Sequence, residues 1–77
     1  IPQEIPTELL KLGSTGENVK ILQYLLICIG AFYDNILPVT ITGNFDVKTQ
    51  ESVKSFQRAF ELIPDGIVGP LTWNLIF

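Results

Sequence analysis

The run Pro64-Asp65-Gly66-Ile67-Val68-Gly69-Pro70-Leu71-Thr72-Trp73 gathers a carboxylate, a hydroxyl and an indole into one short stretch. These groups suit holding a ligand better than breaking a bond. Asp65 can meet a ligand amide, and the Gly66 backbone and the Thr72 hydroxyl add further hydrogen-bonding capacity. Trp73 offers a flat face and an N–H suited to packing on sugar rings or peptides. Each also has a purely structural role open to it. A turn aspartate fixes its own turn by accepting backbone N–H bonds. A threonine in a first helical turn, Thr49 as much as Thr72, can bond nearby backbone. A tryptophan in a small domain commonly anchors the core. Tyr24, off the main apolar stripe, and Tyr33, at the start of a long loop, are the candidates for an exposed aromatic face. Asn44 stands in a weaker copy of the same phrase.

Catalysis finds little support in the residue types. Acid/base glycoside cleavage needs two carboxylates facing each other across a cleft. The eight acidic residues are instead dispersed over turns and exposed helical positions. There is no histidine and one cysteine, so neither a Ser-His nor a Cys-His pair can be built, and a His/Cys zinc site is excluded. Cys28 lies among Leu25, Leu26, Ile27 and Ile29 and reads as a buried, inert thiol. The expectation is a chain that is not an enzyme and needs neither metal nor cofactor.

Charge narrows the partners. Net charge is −3, and the five basic residues (Lys11, Lys20, Lys48, Lys54 and Arg58) form no stripe of the kind nucleic acid requires. Lys20 and Lys54 read as solvated helix positions, either of which could meet a peptide carboxylate. No apolar run reaches transmembrane length. With 77 residues the chain is one domain, and 47% apolar residues supply a core while 17% charged residues leave little polar surface. It begins at Ile1 without methionine and reads as excised from a longer protein.

Two repeats organise the chain. Thr42-Gly43-Asn44-Phe45-Asp46-Val47-Lys48-Thr49 echoes the later turn: glycine, any residue, a large apolar, then threonine four positions on. Thr15-Gly16-Glu17-Asn18-Val19-Lys20-Ile21-Leu22-Gln23 matches Thr49-Gln50-Glu51-Ser52-Val53-Lys54-Ser55-Phe56-Gln57 at six spacings. Gln23 and Gln57 recur beside core apolars, where a buried amide would satisfy turn backbone. Two copies do not make a solenoid. A small bundle built from two related halves is the expectation.

The elements that must position these residues follow from periodicity and caps. Residues 1–9, with Pro2 and Pro6, read as a linker or packed N-terminal arm, and 10–77 as the domain. Ser14 and Glu17 have capping-box spacing ahead of a helix burying Val19, Leu22, Leu25, Leu26 and Ile29, which Gly30 ends. That helix is expected to be the central one. Asp34, Asn35 and Pro38 mark a loop, and Val39-Thr40-Ile41 suits a short extended piece. Asp46 is the expected N-cap of a second helix running to about Phe60, with Val53, Phe56 and Phe60 inward, backed by Val47 and Ala59. Pro70 opens a final helix carrying Leu71, Leu75 and Ile76. Phe45 and Phe32 are expected in the core. The fold class is all-α, a small three-helix bundle with two turn-to-helix repeats.

With those residues in view, the chain resembles the bacterial peptidoglycan-binding domains of the three-helix type attached to cell-wall hydrolases and spore-cortex lytic enzymes. The resemblance rests on Leu12-Gly13-Ser14, on Val19, Leu22, Gln23 and Leu26, on Gly43, Phe45 and Thr49, and on Val53, Lys54, Phe56 and Gln57. The most specific part is Asp65-Gly66-Ile67-Val68-Gly69-Pro70 with Thr72-Trp73. It implies a non-catalytic module tethering a partner enzyme to peptidoglycan, whether through glycan strand or stem peptide. It further implies a monomer located outside the cell, in the wall or the spore cortex. Tyr24, Tyr33, Asn44, Asp65, Gly66, Thr72 and Trp73 are then the candidate ligand-binding residues. The chain departs from the family pattern at Thr42, where aspartate is usual, at Asp46, where glycine is frequent, and in a longer stretch from Phe32 to Ile41. The fold also resembles the prodomain of matrix metalloproteinases, so fold alone does not fix function. The alternative expectation is therefore a protein-interaction or regulatory module docking on a neighbouring catalytic domain.

Overall fold

The computed structural model describes residues 8–76. The expected arm at residues 1–9 therefore lies largely outside the described residues. Three helices follow one another: α1 over Glu17–Gly30, α2 over Val47–Ala59 and α3 over Pro70–Ile76. α1 packs on both α2 and α3, as its strongly apolar sequence predicts. Among the described residues there is no strand. The extended piece expected at Val39–Ile41 takes up no regular structure, and β pairing is confined to two isolated antiparallel bridges, Leu10 with Val68 and Thr15 with Asn44.

The core holds Leu10, Val19, Leu22, Leu26, Ile36, Phe45, Val53, Phe56, Val68, Trp73 and Ile76. Leu25, Ile29, Ala59 and Phe60 pack partly buried against it, as their helical spacing predicts. Burial of such side chains contributes about 1.5–3 kcal/mol each. Two core expectations fail, at Val47, which is exposed, and at Phe32. Along α3, Leu71 (71%) and Leu75 are exposed. The short α3 instead turns Thr72, Trp73 and Ile76 inward. Both sets of residues fit helical spacing, and the larger Trp73 takes the inner face. Phe32 is 85% exposed because it follows the end of α1, beyond the reach of the bundle.

The helix ends differ in how well local sequence anticipates them. Asp46 caps α2 as expected, its carboxylate accepting from the Thr49 N–H at 2.9 Å. At α1 the expected capping box is absent. Gly16 is the N-cap, in a backbone conformation (φ 117°, ψ −167°) open essentially to glycine, and no side chain caps the helix. The reason is tertiary. The Thr15–Asn44 bridge and a Gly16 N–H to Gly43 carbonyl bond of 3.0 Å hold the chain extended up to Glu17. The Ser14 hydroxyl instead accepts from the Lys11 N–H. α1 does stop at Gly30, against which Ile36 packs. α2 closes in a Schellman arrangement: Leu62 donates to the Gln57 carbonyl at 2.7 Å and Glu61 to the Arg58 carbonyl at 3.2 Å. Glu61 takes the left-handed position (φ 60°) that glycine usually fills.

Candidate functional site

Each turn that leads into α2 or α3 is folded around one buried glutamine. Gln23 on α1 accepts from the Thr42 and Gly43 N–H groups at 2.8 and 3.0 Å, and donates to the Asn44 carbonyl and the Thr49 hydroxyl, both at 3.0 Å. Gln57 on α2 accepts from the Gly66 N–H at 3.0 Å. It donates to the Ile67 carbonyl at 3.0 Å, the Asp65 carboxylate at 3.1 Å and the Thr72 hydroxyl at 3.2 Å. Both amides are fully buried, and no buried side-chain nitrogen or oxygen among the described residues lacks a partner. The two threonines serve these amides, where the sequence suggested nearby backbone. Gln23 reaches from α1 to the turn before α2, so its clasp couples packing to turn shape, whereas Gln57 folds the turn that follows its own helix back onto it.

The departure at Thr42 is chemically small. Its hydroxyl accepts from the Asn44 N–H at 3.1 Å, as the Asp65 carboxylate accepts from the Ile67 N–H at 2.9 Å. A threonine turn thus replaces an aspartate turn. A lysine stem lies across each turn glycine. A methyl placed on Gly43 would stand 3.1 Å from Lys20 Cε, and one on Gly66 would stand 3.2 Å from Lys54 Cε. Each lysine faces a glutamate three residues before it, at 3.7 Å for Lys20–Glu17 and 3.6 Å for Lys54–Glu51.

The segment from Leu10 to Gly16 ties the two turns together. Leu10 exchanges two backbone bonds with Val68, and further along Gly13 and Ser14 bond both sides of Phe45. The first turn is also paired at Gly43, whose carbonyl accepts from the Gly16 N–H. Beside the second turn lies an open groove of about 260 Å³. Its walls are Leu9, Leu62, Ile63, Ile67, Gly69, Pro70 and Leu71, and Gln57, Asp65 and Thr72 supply its polar groups. A second hollow, about 340 Å³, lies between the end of α1 and the Ile36–Val39 stretch.

The structure disperses the candidate residues. Asp65, exposed, and Thr72, buried, meet at the groove, with buried Gly66 in the same turn. Asn44 is exposed on the first turn and lends its backbone to the Gln23 clasp. Tyr24 is exposed on α1. A hydrogen bond to Cys28, one turn on, is the first of the influences holding its phenol above the ordinary value. Cys28 itself is half-buried, less enclosed than its apolar run suggests. Tyr33 meets Phe60 edge-to-face at 5.3 Å. Trp73 does not offer a face to ligand: it is 1% exposed, and its indole N–H donates to the Glu8 carbonyl at 3.1 Å. The core-anchor reading of this residue is the one the structure bears out. Sequence reasoning missed the groove walls Leu9, Ile63, Ile67 and Leu71. The one available signal was that Leu71 and Trp73 compete for the inner face of the same short helix.

Comparison with known proteins follows the same outline. The family model described as "Putative peptidoglycan binding domain" matches residues 15–76. Over 84% of its length the chain is 38% identical to a zinc D-Ala-D-Ala carboxypeptidase from Streptomyces albus G, of which it spans 24%. A crystal structure of a peptidoglycan-binding protein from Clostridioides difficile, in complex with glutamine hydroxamate, superposes on 91% of the chain with TM-score 0.81 and 36% identity, over 40% of that protein. The SleB N-terminal domain superposes on 95% of the chain, at TM-score 0.79 and 26% identity, over 93% of its own length.

Proposed function

Because the chain belongs to the peptidoglycan-binding domain family, we propose that it is a non-catalytic module that holds a partner enzyme against the cell-wall polymer. In this reading it acts as a monomer, outside the cell, in the wall or the spore cortex. The groove beside the second turn carries the reading. It is aliphatic, open, and lined among the described residues by a single carboxylate, Asp65. One carboxylate cannot serve as both acid and base across a glycosidic bond, whereas it can hold a ligand. A weak contact made there, tethered to a hydrolase, raises the enzyme's effective concentration at the polymer. That the related region of the Streptomyces carboxypeptidase belongs to an enzyme supports such a tether.

The test is sedimentation with purified insoluble peptidoglycan at moderate salt. The domain is expected in the pellet, and its retention in the supernatant overturns the reading. A docking role on a neighbouring catalytic domain draws on a different observation, the apolar hollow at the end of α1 flanked by exposed Ile27 and Leu37. Binding to the parent catalytic domain, with no preference for wall over an unrelated acidic protein, would favour it.

A further inference from the structure

We infer that the groove beside the second turn takes the peptide stem of the wall polymer, through small aliphatic side chains and an ammonium group, and not its glycan strand. The inference rests on the wall-binding reading and assigns a ligand class to its site. The lining is the first argument. Leu9, Leu62, Ile63, Ile67, Pro70 and Leu71 present aliphatic surface, with no aromatic ring in the lining among the described residues. Sugar rings pack on flat aromatic faces, and the exposed aromatics Tyr24, Phe32 and Tyr33 all lie outside this lining, while Trp73 is buried. Alanine methyl groups suit an aliphatic wall. At about 260 Å³ the hollow is smaller than the ~300–1,000 Å³ common for drug-sized ligands, a size for one or two short residues.

Charge is the second argument. Among the described residues Asp65 is the only ionisable group in the lining, and it is exposed at the surface while one oxygen, Oδ1, already serves Ile67 and Gln57. A fixed carboxylate at the mouth of an apolar groove favours a cation. An N-acetylated glycan strand carries none, whereas a stem peptide containing a diamino acid does. The duplicated turn supplies an internal comparison. There Thr42 makes the equivalent turn bond without a charge, and the Gly13–Gly16 backbone pairs along the turn at Gly43 and Phe45. The carboxylate is therefore present in one copy alone, the one beside the groove.

The experiment titrates isotope-labelled domain with the synthetic peptide acetyl-L-Ala-D-isoglutamine-L-Lys-D-Ala, with its Nε-acetylated form, and with chitotetraose, reading amide chemical shifts. Sedimentation with intact peptidoglycan is run in parallel. The lysine peptide is expected to move the amides from Asp65 to Leu71. Acetylating the lysine, or the Asp65→Asn substitution, is expected to weaken binding about twofold to fivefold, the range of an exposed ion pair. Added salt should weaken the lysine peptide more than its acetylated form. Asparagine keeps an oxygen to accept from Ile67 and Gln57, so a retained spectrum separates charge loss from turn loss. If chitotetraose moves these amides and the peptide does not, the inference is overturned. A domain that pellets with the wall yet ignores the peptide overturns this inference and leaves wall binding standing. One that does neither overturns both.

Discussion

Gln23 and Gln57 are structural counterparts: each buries its amide against the turn leading into the next helix and closes on a threonine hydroxyl in that helix, Thr49 or Thr72. The equivalence explains why so small a domain can hold two irregular turns in fixed shape. A buried backbone N–H or carbonyl without a partner costs about 1–3 kcal/mol, and each glutamine satisfies turn groups of both kinds.

Replacing either glutamine by leucine should therefore be among the most damaging single changes. Gln57→Leu strands the Gly66 N–H and the Ile67 carbonyl. A loss of about 2–4 kcal/mol is expected in urea unfolding, with Gln23→Leu close behind. A loss under about 1 kcal/mol would mean that the turns hold themselves.

The left-handed positions should respond in opposite directions. At Gly66 φ is +76°, and an added methyl would stand 2.9 Å from Gln50 Cγ, so Gly66→Ala should cost more than about 1 kcal/mol. Glu61 already bears a side chain at φ 60°, so Glu61→Gly should stabilise by about 0.5–1 kcal/mol. Thermal midpoints of the two variants, measured side by side, check both signs.

Asp46 should leave a mark on acid unfolding. The Thr49 N–H, and next the Thr49 hydroxyl, hold its carboxyl below the ordinary value. A depressed folded-state value means stability that is present above the unfolded value, near pH 4, and lost as pH falls through the lower folded one. Asp46→Asn keeps a cap but cannot titrate. Its melting temperature should fall less steeply on acidification, and identical slopes for the two proteins would contradict this.

Wall binding should separate from stability at the groove. Leu71 is largely exposed, so Leu71→Ser should shift unfolding by no more than about 0.5 kcal/mol while reducing the fraction sedimented with peptidoglycan. Phe32→Ser, at a still more exposed position outside the groove lining, serves as the control and should sediment like the parent. Equal sedimentation of all three would place binding elsewhere on the surface.

Trp73 should stay shielded whether or not ligand is present. Its burial predicts blue-shifted emission and weak iodide quenching. Strong quenching that wall fragments relieve would mean an indole face open to ligand.

Much of this molecule is legible in the sequence because it depends on local chemistry. Helical spacing places Val19, Leu22 and Leu26 inside, Asp46 starts a helix through its own side chain, and Asp65 shapes its own turn. The paired glutamines were also readable, since a long amide recurring beside core positions needs partners. Three features were decided by tertiary structure. Gly16 displaces Ser14 as the α1 cap because the Thr15–Asn44 bridge, formed across distant sequence, straightens the chain there. Leu71 yields the inner face of α3 to Trp73, and the Glu8 carbonyl receives the indole N–H. The groove arises where Leu9, the end of α2 and the start of α3 converge. Helical periodicity fixes which residues share a face, but which face is covered depends on chain arriving from far along the sequence, and spacing carries no information about that.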